Sequence, residues 1–126
     1  MITNRETLTL STLPKTWIFD LDGVLVKYNG YKTDGVDSVL PGVKNYLKTI
    51  PKEDRIVIFT SRSEEYKDIT LKFLEESGIR YDAIEFNMPA GERIVFNDRK
   101  LSGIDMAYAV NMDRDKFQAP EILREM

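Results

Sequence analysis

The chain has 126 residues, 42% apolar and 31% charged, which is enough to bury a core and reads as one ordinary globular domain. Cysteine and histidine are both absent, which excludes disulfides, thiol nucleophiles, serine–histidine triads, histidine-bound zinc and phosphohistidine. A net charge of −3 with scattered lysines and arginines gives no footprint for coating nucleic acid, which argues against such a partner, though not against an enzyme acting on one phosphorylated end.

In chain order, residues 1–14 alternate weakly (Leu8, Leu10, Leu13) and read as an extended arm or an extra edge strand. They lack the basic start and apolar stretch of a signal peptide, and no later run approaches the roughly 20 apolar residues of a membrane span. A cytoplasmic protein without a membrane partner is expected. Trp17-Ile18-Phe19 then leads into Asp20, and a turn-rich flap follows in which Tyr28, Asn29, Gly30, Tyr31 and Lys32 are candidates to contact a substrate or a partner subunit. A helix is expected from Pro41, with Val43, Tyr46, Leu47 and Ile50 at helical spacing until Pro51 stops it. Ile56 to Phe59 runs into Thr60. A second helix opens near Ser63 with Glu64 and Glu65 in its first turn, carries the stripe Tyr66, Ile69, Phe73, Leu74, and ends at Gly78. Further apolar runs are Ala83 to Phe86 before Asn87, Ile94 to Phe96 before Asn97-Asp98, and Ala107 to Val110 before Asn111. Gln118 to Met126 reads as a short terminal helix. Five short, nearly unbroken apolar runs alternating with helices predict an α/β domain over residues 1–126, a three-layer α/β/α sandwich with a central parallel sheet.

In such sheets ligands sit at the carboxyl ends of strands, so the residues that follow each run carry the functional reading. Asp20 and Asp22, two apart after a buried strand, point the same way, and pairing two anions there calls for a cation or proton. Gly23 lets the chain turn. Thr60, Ser61 and Arg62 place two hydroxyls and a cation at a strand-to-helix junction suited to phosphate. Asn97-Asp98 adds a third carboxylate. Three carboxylates suit Mg²⁺, and an aspartate is able to attack phosphorus. Each also has a plainer reading: Thr60, Ser61 and Asp98 as helix caps, Asn97 and Arg62 as surface structure.

The succession Trp-Ile-Phe-Asp20-Leu-Asp22-Gly23-Val24-Leu25, Ile-Val-Ile-Phe-Thr60-Ser61 and Val-Phe-Asn97-Asp98 resembles the motifs of the haloacid dehalogenase superfamily of phosphatases, in order and spacing along the whole chain. The resemblance implies that Asp20 is the nucleophile and a Mg²⁺ ligand. It implies that Asp22 is the acid and base, with its main-chain carbonyl on the metal. Thr60 would bind the phosphoryl group and Asp98 complete the metal shell. Ser61, Arg62 and Asn97 would contact the substrate. The lysine that small members carry in a Gly-Lys-Pro step is replaced here by Asn87-Met88-Pro89. Arg93, Lys72, Lys100 and Arg62 are the cations left to take its place, and Arg93 lies nearest in sequence.

Only about 40 residues separate Asp22 from Thr60, too few for a folded cap module. A capless, open site is expected. The resemblance implies that such sites either take large substrates or borrow a second copy of the chain as a lid, and that a small phosphorylated substrate such as a sugar phosphate is acted on. The same residues also suit transfer to an acceptor other than water, or a phosphate-binding module that kept the motifs without turnover. A receiver domain fits less well, because it does not use Asp-x-Asp-Gly-Val.

Overall fold

Burial and pairing decide which of the apolar runs become strands. The computed structural model describes residues 7–125. Its elements are β1 (Thr7–Leu10), β2 (Thr16–Asp20), α1 (Gly30–Thr33), α2 (Val43–Lys48), β3 (Arg55–Phe59), α3 (Lys67–Ser77), β4 (Ala83–Glu85) and β5 (Glu121–Arg124), with a 3₁₀ turn at Glu64–Tyr66 ahead of α3. The first three predicted runs form β2, β3 and β4, hydrogen-bonded in that order and parallel, with Trp17 opposite Ile56, Asp20 opposite Phe59 and Val57 opposite Ala83. Parallel strands interspersed with helices make this an α/β chain.

The core forms where β3 meets the helices. Ile56 and Ile58 are fully buried, together with Leu21, Leu25, Val26, Val43, Leu47 and Leu74. Burying a side chain of this size is worth about 1.5–3 kcal/mol, so β3 and the start of the flap carry much of the stability. Asp54 pins the start of β2: one oxygen accepts the Lys15 N–H at 3.0 Å and the other the Trp17 indole N–H at 2.9 Å. The far end of α3 stops where expected, at Gly78 with φ 73°. The first long helix starts later than Pro41, because Gly42 takes φ 87° and breaks helical geometry before Val43.

Three expectations fail. The runs Ile94–Phe96 and Ala107–Val110 form no strand, and Phe96 is 93% exposed. A β-branched run suits a strand but needs a partner to pair with, and neither run has one among the described residues. The C-terminal stretch is not helical either. Its residues 121–124 form β5, parallel to β1, with Leu8 opposite Ile122 and Leu10 opposite Arg124. The expected edge strand within residues 1–14 is therefore present as β1, while residues 1–6 lie outside those described. The strands thus make two ladders, one of two and one of three, in place of one central sheet. A cleft of about 450 Å³ lies between them, lined by Trp17, Tyr46, Pro120 and Ile122. It touches β2 at Trp17, near the start of that strand, and Asp20 is not in its lining. Among the described residues no helix is long and apolar enough to cross a membrane.

Candidate functional site

Asp20 is the last residue of β2, and Asp22 follows on the same side, with the buried Leu21 between them turned into the core. The chain then reverses: the N–H groups of Leu25 and Val26 both donate to the Leu21 carbonyl, and the Gly23 N–H donates to Val26 O at 2.8 Å. Gly23 sits at φ 86°, a left-handed conformation that favours glycine, although a Cβ there would meet Arg114 Cγ at 3.4 Å and the Tyr28 ring at 3.7 Å, ordinary contact distances. The flap leaves and returns as a pair of extended segments, with the Lys27 N–H donating to Ser38 O and the Leu40 N–H to Leu25 O, both at 3.0 Å. Asp115 clasps this turn from the far end of the chain. Its N–H donates to Gly23 O at 2.9 Å, and its carboxylate accepts the Tyr28 N–H at 2.7 Å.

Asp22 is held by Arg62. The guanidinium donates through Nε and Nη2 to the two Asp22 oxygens at 3.1 and 2.9 Å. It donates through Nη1 and Nη2 to both Asp37 oxygens at 3.0 and 2.7 Å, and through Nη1 to the Thr70 hydroxyl at 2.8 Å. Its guanidinium carbon lies over the Tyr31 ring, 3.8 Å from the centroid. Burial opposes the charge, but the hydrogen bonds and charges of Asp37 and Asp22 outweigh it and raise the Arg62 pKa. The sequence expectation that Arg62 contacts substrate or forms surface structure is thereby corrected. Arg62 is 4% exposed and spends its donors on protein acceptors. Asp37 and Thr70 have no local signal in the sequence, whereas Tyr31 is one of the flap candidates and here carries Arg62. A cation directly after a buried strand does call for a buried counter-ion, but nothing in the chain names which acid supplies it.

Arg93 lies beside the other carboxylate, with Nη2 3.6 Å from Asp20 Oδ1 and its guanidinium carbon 5.9 Å from the Phe59 ring centroid. Of the cations considered in place of the family lysine, this is the one the structure puts at Asp20. Lys72 and Lys100 are solvent-facing. Thr60 is fully buried, and its hydroxyl accepts the Arg62 N–H at 3.1 Å, fixing the turn that launches Arg62. Its N–H and carbonyl continue the ladder, to Glu85 O and from the Met88 N–H, both at 3.0 Å. Ser61 is exposed at the rim.

Asn97 and Asp98 are not brought to this site by any strand. Both are exposed, Asn97 donating to Met106 O at 2.8 Å and accepting the Asp98 N–H at 2.9 Å. Without a paired strand at Ile94–Phe96, nothing carries Asp98 to the sheet end. No group of three acidic side chains that could share a metal forms among the described residues. What remains for a hard cation is the partly exposed Asp20 carboxylate and the Asp22 main-chain carbonyl, which accepts no hydrogen bond among the described residues. Those two suit Mg²⁺ in its usual manner, with few protein ligands and the rest water and phosphate oxygen.

The Asp20 carboxyl is pushed above its ordinary value of 3.8, chiefly by burial; Arg93 and the Leu21 N–H pull against this, and the charge of Asp22 adds to it. A carboxyl with a raised folded pKa stabilises the fold fully below its unfolded value, and that contribution is lost as pH rises through the folded one. In chelator, Asp20→Asn is therefore expected to melt above the wild-type chain at pH 7, with the gap closing toward pH 4. Thermal melts across that range check it; a gap that widens toward acid would mean the Arg93 pairing dominates.

No family model and no curated protein sequence matches the chain. Solved structures do. A chain of the Pnkp1/Rnl/Hen1 complex is 28% identical over 66% of this chain, with a TM-score of 0.51. A chain of the Pnkp1/Rnl/Hen1 RNA repair complex is 30% identical over 67% of it, also with a TM-score of 0.51. The matched regions are 31% and 29% of those longer chains, so this chain spans less than a third of either.

Proposed function

We propose that the chain is a Mg²⁺-dependent phosphomonoester hydrolase of the haloacid dehalogenase type, with the three-layer sandwich of that superfamily and Asp20 as its nucleophile. The observation that carries this reading is the grouping at the end of β2: a partly exposed Asp20 with Arg93 3.6 Å away, and Asp22 two residues on, oriented through both oxygens by a buried arginine. In the first half-reaction an Asp20 oxygen bonds to phosphorus as the ester P–O bond breaks, and Asp22 gives its proton to the departing oxygen. In the second, Asp22 takes a proton from water, the water oxygen bonds to phosphorus, and the Asp20–phosphorus bond breaks to release inorganic phosphate. Either proton movement requires one of the Arg62 contacts on Asp22 to open. Arg93 offsets charge on the phosphoryl oxygens, the task of the missing lysine. Mg²⁺, held by Asp20 and the Asp22 carbonyl, would neutralise charge on the phosphoryl group.

The family resemblance favours a small metabolite such as a sugar phosphate, and the charge of the chain argues against nucleic acid. The likeness to a chain of an RNA repair complex removes the ground for that preference and supports a phosphorylated nucleic-acid end as the substrate. The test is phosphate release from an aryl phosphate, sugar phosphates and phosphorylated oligonucleotides, in Mg²⁺ and in chelator. Release in Mg²⁺ that stops in chelator is expected. Inertness toward every substrate would favour the binding-module reading, and turnover that depends on added acceptor alcohol would favour phosphotransfer.

A further inference from the structure

Two neighbours of Gly23 take no part in the chemistry above. Arg114 lies over the Tyr28 ring, its guanidinium carbon 3.6 Å from the centroid, and the pair stands at the turn one residue beyond Asp22. Both side chains are exposed. The plain account is that they fasten the C-terminal segment to the flap, but Asp115 already does so with its two hydrogen bonds to Gly23 and Tyr28. The Arg114 guanidinium forms no hydrogen bond or ion pair with protein among the described residues. An exposed cation over an exposed ring, its N–H donors without protein partners among the described residues, is the kind of surface on which a nucleobase stacks while the donors meet phosphate. A second group of the same kind lies along the flap. Lys32 Nζ is 5.6 Å from the Tyr31 ring and 5.9 Å from that of Tyr66, and the two rings meet edge to face at 4.9 Å. Tyr31 in turn carries the arginine that holds Asp22. A sugar phosphate has no flat face to use these rings, whereas a nucleic-acid end has one per nucleotide.

We infer that Tyr28 and Arg114 form a base-stacking subsite that seats the terminal nucleotide of a single-stranded nucleic acid, with Tyr31, Tyr66 and Lys32 along the path of the strand. The inference rests on the phosphatase reading for what happens to the terminal phosphate, and on these contacts for what holds the base. Recognition is local, which agrees with a chain of net charge −3.

The experiment measures fluorescence anisotropy of labelled single-stranded RNA and DNA octamers, phosphorylated at either end. Each carries a normal or an abasic terminal nucleotide, and the full chain bears Asp20→Asn to prevent turnover. The base-bearing end is expected to bind about tenfold or more tightly than the abasic one. Arg114→Ala and Tyr28→Ala should erase that difference, and Tyr28→Phe, which keeps the ring, should retain it. Equal affinity for base-bearing and abasic ends overturns the subsite, and that comparison needs no change at Tyr28 or Arg114. Aryl phosphate hydrolysis by the wild-type chain separates the two ideas. Hydrolysis without base preference removes the subsite and leaves the phosphatase, while base preference without hydrolysis does the reverse.

Discussion

Asp20→Asn is expected to lower phosphate release by about 10⁴-fold or more, the scale on which losing a covalent nucleophile acts. The substitution keeps the shape of the side chain and removes the anion that would bond to phosphorus. It acts on a carboxylate that the fold leaves partly open at the end of β2, with a guanidinium already 3.6 Å away. Acid-quenched reactions with labelled substrate should trap phosphate on the wild-type chain, sensitive to hydroxylamine, and none on the variant. Arg93→Ala should fall less far, about 10²- to 10³-fold, because it removes charge stabilisation and leaves the bond-forming group in place. Persistence of a hydroxylamine-sensitive label on Asp20→Asn would move the nucleophile elsewhere.

Arg62→Ala is expected to be the most damaging single change to stability. It leaves Asp37, almost wholly buried, and Asp22 without the cation that satisfies four of their hydrogen bonds. Stranding buried carboxylates in this way costs about 3–5 kcal/mol, which for a chain of this size lowers the melting temperature by roughly 10–20 °C. Arg62→Lys should recover little, because a single ammonium cannot present two forks. Adding Asp37→Asn to Arg62→Met should recover part of the loss, because it removes one of the stranded charges. A variant with unchanged melting and unchanged turnover would show that the network is ornamental to both.

Asp20 and Asp22 could be read from the sequence because the reading needed only local facts: an apolar run ahead, a two-residue interval, a glycine behind. Phe59-Thr60 is legible for the same reason, but the stripe of the second helix is so only in part: Leu74 is fully buried, while Ile69, expected on the core face, is 54% exposed. Arg62 was visible but misjudged. Its role depends on Asp37, 25 residues away, and Thr70, eight residues on, and neither interval leaves a periodic trace. Arg93 was picked out as the cation nearest the place of the absent lysine, and the structure sets it against Asp20. Ile94–Phe96 and Ala107–Val110 carried the strand signal as clearly as Ile56–Phe59 did, yet only the last has ladder partners on both sides. Composition along one segment reports willingness to extend; pairing is a property of two. The residues around Glu121–Arg124 show the converse, since a stretch that reads as helix becomes a strand when β1 offers it a ladder.

That last ladder has a consequence for the order of folding. Thr7 pairs with Glu121, so nearly the whole chain must be gathered before a single bond of it can form. The ladder of β2, β3 and β4 joins nearer segments and closes shorter loops. Closing a long loop is entropically costly and slow, and a two-stranded ribbon is marginal by itself. Assembly is therefore expected to begin with β2, β3 and β4 and to finish with β1 against β5. The same pair is the first to part on unfolding, and its amides should exchange with solvent ahead of those of β3.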